Sequence, residues 1–588
     1  MDYLEGTTMN TKHLFALSTV FLSVFLLHHG PAKAADPTAA EVDAIFADYD
    51  NTTSPGCSLG VVRDGKTIYQ RGYGMANLEY GIALSPRSVF RTASVGKQFT
   101  AMSIAILDQQ GVLSLDDPLS QYFPEFPDWA EEITLRHLVH HTSGIRDYLT
   151  LAWLAGKGDE HYYSDEFALD LLARQQHLNF APGDDHLYSN SGYLLLAHTV
   201  QRATGKSLRK WAAENMFGPL GMTHSHFHDD HTHIVPDRAD GYSPAEDGFS
   251  ISMTSLDMVG DGGVYTTVED FLLWDRNFYD NRLGTGGDEL IELVTTPGPL
   301  NSDEEMTYGF GLDVDKYRGL GVVSHGGSFV GFRTDTLRFP HQRFSVVVYC
   351  NRADANPTQR SKKVAELFLA DVMDPEEDLV TQSADESARA QIPAAQLRVW
   401  SGHYWNEERK SAWKVAWHDD RLELVASEED RFDMVQMAED RFAIQGPWFS
   451  AEVTFQEIDD GELQMSFLYE GATEPRLFES FTPREPSSED LESYVGTYFS
   501  DELGVHYDLA VEGSSLVFRI VRHEAHPLEP LFGETFASKD HGTFRFQRES
   551  DGSVGGFALD ARRVRDLEFK RQRNRPMEWI TASPKSVR

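Results

Sequence analysis

The C-terminal part of the chain contains an internal repeat, which limits its fold to two copies of one small domain. Five positions recur after 94 residues, since 491 − 397 = 94. The two matching sets are Leu397, Gly402, Tyr404, Val415 and Leu422, and Leu491, Gly496, Tyr498, Leu509 and Leu516. Each copy alternates apolar residues with turn signals, a pattern that is typical of β-strands. The repeat therefore predicts two small all-β barrel domains, over residues 397–482 and 489–575.

The composition indicates a large globular protein. With 588 residues, of which 41% are hydrophobic, the chain can fill several domain cores. Its formal net charge of −40 argues against nucleic acid, anionic membrane surfaces and acidic polymers as partners. Residues 372–396 are acidic and rich in Ala and Ser, and we interpret them as a linker before the first barrel.

The first residues have the pattern of a secretory signal. Basic residues after Met9 precede a short apolar run at 14–27, and Ala32-Lys33-Ala34 forms an A-x-A cleavage pattern. The run is too short to span a membrane. We therefore expect a cleaved signal peptide over residues 1–34, a secreted or periplasmic location, and no stable membrane anchor.

A Ser-x-x-Lys pair opens an apolar segment with helical spacing at Ser94 to Lys97. Residues three apart share a helix face, so the lysine amine can reach the serine hydroxyl. Phe99, Met102 and Ile106 make the surroundings apolar, which favours a neutral amine that can accept a proton. The helix start also offers unpaired N–H groups to a developing negative charge. Ser94 is thus a candidate nucleophile and Lys97 its base.

The same four-residue pattern occurs at two other places, which serve as internal comparisons. Ser207 opens a polar helix, and Ser411 lies in a segment with strand-like alternation. In a strand, residues three apart point to opposite faces, so Lys414 cannot reach Ser411. Only Ser94 combines helical geometry with an apolar setting.

Two further motifs follow in order. Tyr188-Ser-Asn190 comes after a Pro-Gly turn and opens an apolar helix, and His325-Gly326-Gly327 follows much later. Together with Ser94 and Lys97, they resemble the serine β-lactamase and penicillin-binding protein superfamily. The resembling branch holds class C β-lactamases, D-aminopeptidases, D,D-carboxypeptidases and related esterases. The resemblance covers about residues 42–371.

The resemblance implies a role for each motif residue. Ser94 attacks the substrate carbonyl and Lys97 removes its proton, while Tyr188 acts as a base or as the proton donor to the leaving group. Asn190 would hydrogen-bond the substrate or Lys97. The backbone N–H groups of Ser94 and Ser328 would form the oxyanion hole, and water would then release the acyl group. Taken singly, Tyr188 is also compatible with a core tyrosine, and Asn190 with a helix cap.

The third motif departs from the β-lactamase pattern. That pattern places a lysine and a hydroxyl here to bind a carboxylate, whereas this chain has His325, Gly326 and Gly327. Because this triplet resembles D-aminopeptidases and esterases, we assign the three residues to substrate binding and favour a D-aminopeptidase-like peptidase. The alternatives are a carboxylesterase, a D,D-carboxypeptidase or weak β-lactamase, and a non-catalytic penicillin-binding sensor. The glycines also let the strand approach the site closely.

The resemblance also implies the fold and the partners. We expect an α+β, β-lactamase/transpeptidase-like catalytic domain over residues 40–371, with an antiparallel sheet flanked by helices and a helical subdomain. The two barrels would be lipocalin-like. The substrate would be a small molecule or a short peptide, with peptidoglycan fragments among the candidates, while the oligomeric state stays open.

In the sheet of the resembling family the first and last strands are neighbours. Cys57 begins one and Cys350 ends the other, so a disulfide between them and two buried free thiols both remain open. Cofactors are not expected. The segment His224 to His233 is dense in possible metal ligands, but we interpret it as a loop with local hydrogen bonds and assign no metal.

Overall fold

The computed structural model describes residues 36–158, 161–302, 304, 306–375, 394–426, 431–446, 450–458, 461–469, 474–520 and 524–572. The expected signal peptide at 1–34 lies outside these residues, and so do positions 376–393 of the expected linker. No helix within these described ranges is long and apolar enough to cross a membrane.

The strands of the N-terminal region are β1 (Cys57–Arg63), β2 (Lys66–Tyr73), β3 (Met75–Asn77), β4 (Ile82–Ala83), β5 (Phe90–Arg91), β6 (His226–Phe227), β7 (Tyr242–Ala245), β8 (Gly248–Ile251), β9 (Val264–Thr266), β10 (Asp313–Tyr317), β11 (Leu320–Phe329), β12 (Phe332–Phe339) and β13 (Phe344–Cys350). Six of them form one antiparallel sheet in the order β10-β11-β12-β13-β1-β2. Asp64 and Gly65 both have positive φ, the backbone that a two-residue hairpin turn requires, so β1 and β2 pair directly.

The helices are α1 (Ala39–Ala44), α2 (Lys97–Gln109), α3 (Leu135–Val139), α4 (Tyr148–Leu154), α5 (Asp165–Ala173), α6 (Asn190–Thr204), α7 (Leu208–Ala212), α8 (Gly218–Leu220), α9 (Val268–Asn277), α10 (Glu289–Val294), α11 (Pro357–Leu369), α12 (Ala394–Leu397) and α13 (Ser488–Tyr494). Val42 and Phe46, from α1 and the turn after it, and Val364 of α11 share a core with one face of the sheet. Helices α2 and α6 pack together in the other large core. The predicted α+β architecture is confirmed.

The first barrel consists of β14 (Gly402–Asn406), β15 (Ser411–His418), β16 (Arg421–Val425), β17 (Arg431–Gln436), β18 (Arg441–Gln445), β19 (Ser450–Glu457), β20 (Leu463–Tyr469) and β21 (Arg476–Phe481). The second consists of β22 (Gly496–Ser500), β23 (Val505–Glu512), β24 (Ser515–Ile520), β25 (His526–Pro530), β26 (Thr535–Ser538), β27 (Gly542–Arg548), β28 (Val554–Ala561) and β29 (Val564–Arg571). Each closes on itself with eight strands, so the predicted pair of all-β barrels is confirmed.

The sequence repeat has a direct structural counterpart. Gly402 pairs with Val415 across the first hairpin of barrel one, and the repeat partners of these residues, Gly496 and Leu509, pair in the same way in barrel two. The Tyr404 hydroxyl donates 2.8 Å to the carbonyl four residues earlier, and Tyr498 does the same at 2.8 Å. The recurring residues thus specify the same register and the same tyrosine contact in both barrels.

The second barrel is fastened to the N-terminal region by a buried ion pair. Arg146 precedes α4 and lies 2.7 Å from Glu502, which follows β22, and both side chains are almost completely buried. Arg146 also donates to the backbone carbonyls of Arg565 and Asp566 at 2.8 and 3.0 Å. A buried arginine needs such partners for all its N–H groups. These contacts therefore fix the position of barrel two relative to the segment between α3 and α4.

Cys57 and Cys350 form a disulfide in the structure, which settles the alternative that the sequence left open. The two residues are direct partners in the pairing of β1 with β13. The bond therefore joins two neighbouring strands that are the first and last of the sheet in chain order, across a sequence separation of 293 residues.

Candidate functional site

Ser94 lies at the junction between the sheet and the helical region. It belongs to a short 3₁₀ turn, Ala93–Gly96, that runs directly into α2. The residue before it, Ala93, has φ of +48°, a left-handed conformation that a residue with a Cβ rarely adopts. This turn is strained at the position where the Ser94 side chain enters the cavity.

Lys97 reaches Ser94 as the spacing predicts. Its Nζ lies 3.3 Å from the Ser94 Oγ, 2.8 Å from Oδ1 of Asn190 and 2.5 Å from the backbone oxygen of Asp261. The lysine is fully buried. Burial, the largest effect, lowers the pKa of Lys97 to about 7, and the positive charge of Arg563 adds to the decrease, whereas Asp261 opposes it.

The groups that bury Lys97 differ from those expected from the sequence. Phe99 points away and packs against Phe217 and Trp274, with ring centres 5.3 and 4.3 Å apart. The Nζ of Lys97 instead lies 4.7 Å from the ring centre of Tyr188. Two residues apart on a helix, Lys97 and Phe99 cannot share a face, so desolvation comes from the α6 side.

Tyr188 is partly buried beside Ser94 and Lys97, and its hydroxyl is buried. Burial raises its pKa, while the neighbouring Ser94 hydroxyl and Arg563 oppose the rise. Within the described ranges its hydroxyl has no hydrogen-bond partner, which is unusual for a buried polar atom. The Tyr188 ring packs against His141, whose ring centre is 4.2 Å away. This ring contact fixes the tyrosine without a hydrogen bond to its hydroxyl.

Asn190 is the first residue of α6, and its side chain does not cap the helix. Its backbone N–H donates to Asp147 Oδ2 at 2.7 Å. Its side-chain amide oxygen accepts from Lys97. Sequence reasoning missed Asp147, because nothing near it in the chain signals contact with α6. It also missed Asp261, whose carboxylate accepts from the Tyr148 hydroxyl at 3.0 Å.

His325 is buried and neutral. Its Nδ1 lies 2.6 Å from the carbonyl of Gly326 and its Nε2 lies 3.0 Å from the hydroxyl of Tyr308. A carbonyl only accepts, so Nδ1 carries the hydrogen and Nε2 accepts from Tyr308. Burial and the nearby Lys97 lower the pKa of His325 to about 4. The third motif therefore supplies no cation at neutral pH, and Tyr308 is a further site residue that the sequence did not reveal.

The two glycines of this motif differ in what they make room for. A Cβ on Gly327 would lie 2.2 Å from Thr334 Oγ1, 2.4 Å from the Thr92 oxygen and 3.2 Å from the Ser94 nitrogen. A Cβ on Gly326 would meet nothing closer than 3.9 Å. Only Gly327 is required for close approach to the Ser94 turn.

Ser328 follows on β11, paired with Arg333 of β12. Strand β11 is not the outermost strand, since β10 lies outside it. However, the pairing with β10 ends at Ser324, so residues 325–329 have a free edge towards the cavity. Ser328 and Ser94 both line the cavity, and the role of their backbone N–H groups as an oxyanion hole stays a prediction.

The site residues surround a cavity of about 1290 Å³. It is lined by Ser94, Tyr188, Asn190 and His325 and also by Arg562 and Arg563 of the second barrel. The guanidinium of Arg563 lies 4.6 Å from the ring centre of Tyr188. The second barrel is thus part of the wall of this site.

The histidine-rich segment 224–233 lies elsewhere. His226 Nε2 is 3.1 Å from His228 Nδ1, His231 lies 3.0 Å from Asp257, and Asp229 pairs with Arg209 at 2.6 Å. In the described part of the chain, no three potential ligand side chains converge on one point.

The chain is similar in sequence to known proteins over the region that contains this site. Residues 42–371 match the family model described as "Beta-lactamase". A D-aminopeptidase of Gluconobacter oxydans (strain 621H) is 31% identical over 317 residues, which is 54% of this chain and 59% of that protein. A penicillin-binding protein of Bacillus subtilis (strain 168) is 28% identical over 379 residues, covering 61% of this chain and 81% of that one.

The match to the D-aminopeptidase thus spans a little over half of that relative's length. Among solved structures, the octameric penicillin-binding protein homologue from Pyrococcus abyssi aligns with a TM-score of 0.54 and 22% identity. It covers 75% of this chain and 100% of that chain, which supports the fold.

Proposed function

The chain belongs to the beta-lactamase family, and on that premise we propose that it is an exported serine hydrolase that cleaves amide bonds through an acyl-enzyme on Ser94. We favour D-aminopeptidase-like substrates. The observation that carries the proposal is the position of Lys97, fully buried with its Nζ 3.3 Å from the Ser94 hydroxyl. Burial lowers the pKa of Lys97 to about 7, so it is a competent base near neutral pH.

The proposed reaction runs in two steps. Neutral Lys97 takes the Ser94 proton as Oγ attacks the substrate carbonyl, and the backbone N–H groups of Ser94 and Ser328 stabilise the oxyanion. The carbon–nitrogen bond then breaks, and Tyr188 gives a proton to the departing amine and regains one from Lys97. A water molecule then attacks the ester carbonyl and gives one proton to Lys97. The bond between the carbonyl carbon and Ser94 Oγ breaks, Lys97 returns that proton to Oγ, and the carboxylic acid is released with Ser94 and neutral Lys97 restored.

The substrate class is proposed from two observations. A D-aminopeptidase is among the similar proteins, and His325 is neutral where β-lactamases resembling this chain present a cation. The lack of a cation at this motif equally favours a carboxylesterase, which is our second candidate. It disfavours efficient β-lactam hydrolysis, because the β-lactam carboxylate would meet no charge there.

Export is a proposal that rests on the N-terminal pattern. The Cys57–Cys350 disulfide supports it, because such bonds persist in oxidising compartments and are rare in the cytosol.

The test is a substrate panel run with the wild type and two matched variants. The panel contains D-amino-acid amides, D-Ala-D-Ala peptides, short-chain esters and a chromogenic cephalosporin. Ser94→Ala removes the proposed nucleophile. Ser411→Ala changes the serine of another Ser-x-x-Lys sequence, which lies on β15 of the first barrel and outside the cavity.

We expect D-amino-acid amides to be the best substrates, Ser94→Ala to abolish turnover, and Ser411→Ala to retain it. A serine-reactive fluorophosphonate should label the wild type at Ser94. Turnover of esters alone would select the second candidate, and full activity in Ser94→Ala would reject the acyl-enzyme.

A further inference from the structure

The turn between β28 and β29 presents two consecutive arginines to the cavity. Ala561 pairs with Val564, so Arg562 and Arg563 form a two-residue hairpin loop. Arg562 has φ of +50°, a backbone conformation that favours glycine or asparagine.

The backbone of this turn is held rigidly. Asn179 donates through Nδ2 to the carbonyl of Arg563 at 3.0 Å, and its Oδ1 accepts from the N–H of Arg565 at 2.8 Å. With the Arg146 contacts to the next carbonyls, these bonds fix the turn against the catalytic region. The side chains on the turn therefore start from a fixed backbone position, which a binding group requires.

Arg562 is exposed at the cavity, and its guanidinium lies 4.5 Å from the ring centre of Trp153 on α4. Trp153 is stacked in turn on His541, with ring centres 4.2 Å apart. Within the described ranges, no carboxylate forms an ion pair with Arg562. An arginine ordered by an aromatic face, with its N–H groups still available, suits a planar anion such as a carboxylate.

Arg563 places this turn relative to the chemistry. It lies 4.6 Å from the ring centre of Tyr188, and its Nη1 is 3.6 Å from Asp147 Oδ2. In the proposed mechanism Tyr188 protonates the departing group. The Arg562–Arg563 turn is therefore on the leaving-group side of Ser94.

The charge of the cavity wall is opposite to that of the molecule. The chain carries a net charge of −40, yet four arginines line the cavity: Arg91, Arg333, Arg562 and Arg563. The lining carboxylates are Asp147, Asp261 and Asp313. Burial is the largest effect on the last two, raising the pKa of Asp261 and bringing that of Asp313 to about 7, and even with all three carboxylates ionised the four arginines outnumber them. These arginines attract an anionic substrate to the cavity although the net charge of the molecule is negative.

We propose that the Arg562–Arg563 turn of the second barrel binds a carboxylate on the leaving-group side of the substrate. The preferred substrates are then short peptides with a free C-terminal carboxylate, and the same peptides as C-terminal amides bind more weakly. This inference rests on the proposed function for the orientation of the substrate. It gives barrel two a role in specificity that the third motif, with its neutral His325, does not perform.

Binding to the Ser94→Ala protein tests the subsite without any turnover. The probes are D-alanyl-glycine and D-alanyl-glycinamide, which differ only in the C-terminal group, and the readout is the ratio of their dissociation constants by titration calorimetry. We expect the acid to bind about tenfold more tightly, as a charge-assisted hydrogen bond provides. Adding Arg562→Gln should bring the ratio near one, and Arg562→Lys should keep part of it.

Arg476→Gln is the matched control. Arg476 also stacks on an aromatic ring, 4.7 Å from the centre of Tyr469, but on the first barrel and outside the cavity. It should leave the ratio unchanged, as should Arg91→Gln if the carboxylate binds where we place it. Equal affinities of acid and amide, no effect of Arg562→Gln, or loss of the ratio in Arg91→Gln instead would each overturn the proposal. Failure of the wild type to cleave amides is a separate result, because it counts against the proposed function and leaves this binding ratio readable.

Discussion

The guanidinium of Arg563, near the end of the chain, lies 4.6 Å from the ring centre of Tyr188 in the helical region. The same arginine helps to lower the pKa of Lys97, after burial, and works against the burial-driven rise in the pKa of Tyr188. A residue of the second barrel thus influences the protonation of both groups proposed to move protons. The barrel is part of the chemical environment of Ser94.

Removing the Arg563 charge should change the pH dependence of catalysis. Neutral Lys97 is the proposed base, so activity rises as pH passes its pKa of about 7. Arg563→Gln removes a positive charge that favours the neutral amine, so the pKa of Lys97 increases and the acid limb moves to higher pH. The measurement is kcat/KM for an uncharged ester across pH 5–9. Arg563→Lys retains the charge and should keep the limb in place, whereas an unmoved limb in Arg563→Gln would contradict this coupling.

Adjacent glycines of the third motif should respond differently to the same substitution. Gly327→Ala brings a Cβ to 2.2 Å from Thr334 and 2.4 Å from the Thr92 carbonyl, so the Ser94 turn must move. Loss of one oxyanion donor costs roughly 100-fold or more in kcat. Gly326→Ala has 3.9 Å of clearance and should reduce kcat by less than about threefold. Equal losses in both variants, measured on one substrate, would show that the clearance at Gly327 is not what matters.

Motif order was enough to predict which residues meet. Ser94, Tyr188, Asn190 and His325 are far apart in the chain, yet the structure brings all four to one cavity, with Lys97 buried next to Ser94. Ser94, Lys97 and Asn190 lie at or next to the start of a helix and His325 lies on β11, positions where local sequence signals are strong. Their proposed catalytic roles stay predictions until the variants are measured.

Asp147, Tyr308 and Arg563 could not be found in this way. Asp147 acts by accepting the N–H of Asn190, and Tyr308 by donating to His325, contacts that exist only once the helical region has folded. Arg563 depends on the docking of an entire barrel. The register that sets Cys57 against Cys350 is likewise a tertiary property, and for that reason the sequence left two outcomes open.

The disulfide should be measurable and stabilising. Titration of the denatured, unreduced protein should find no free thiol, because both cysteines are in the Cys57–Cys350 bond. The bond closes a sequence separation of 293 residues, so Cys57→Ala with Cys350→Ala should lower the free energy of unfolding by roughly 3–5 kcal/mol. Urea denaturation with and without reductant checks the same value in the wild type. Two titrating thiols would exclude the bond.

Glu502→Ala should loosen the second barrel. It leaves the fully buried guanidinium of Arg146 without its carboxylate, which typically costs about 3–5 kcal/mol. The control is Asp433→Ala, which breaks the half-exposed pair with Arg421 and should cost less than about 1 kcal/mol. Urea denaturation and the rate of limited proteolysis both report the difference. Comparable losses in the two variants would mean that the Arg146 pair does not hold the barrel.

Lys97 should make the protein more stable as pH rises above neutral. Its pKa falls from an ordinary 10.5 to about 7 in the folded protein, mainly through burial. Between these two values the unfolded chain binds a proton that the folded chain does not, so the free energy of unfolding increases as pH rises. From pH 7 to 9 the wild type should gain about 2 kcal/mol relative to Lys97→Met, which has no titrating group there. Urea denaturation of both proteins at each pH measures this difference, and titrating groups that do not interact with Lys97 contribute equally to both proteins. A difference that stays constant or falls with pH would show that the buried amine is charged at neutral pH, and would remove the basis for its role as the base.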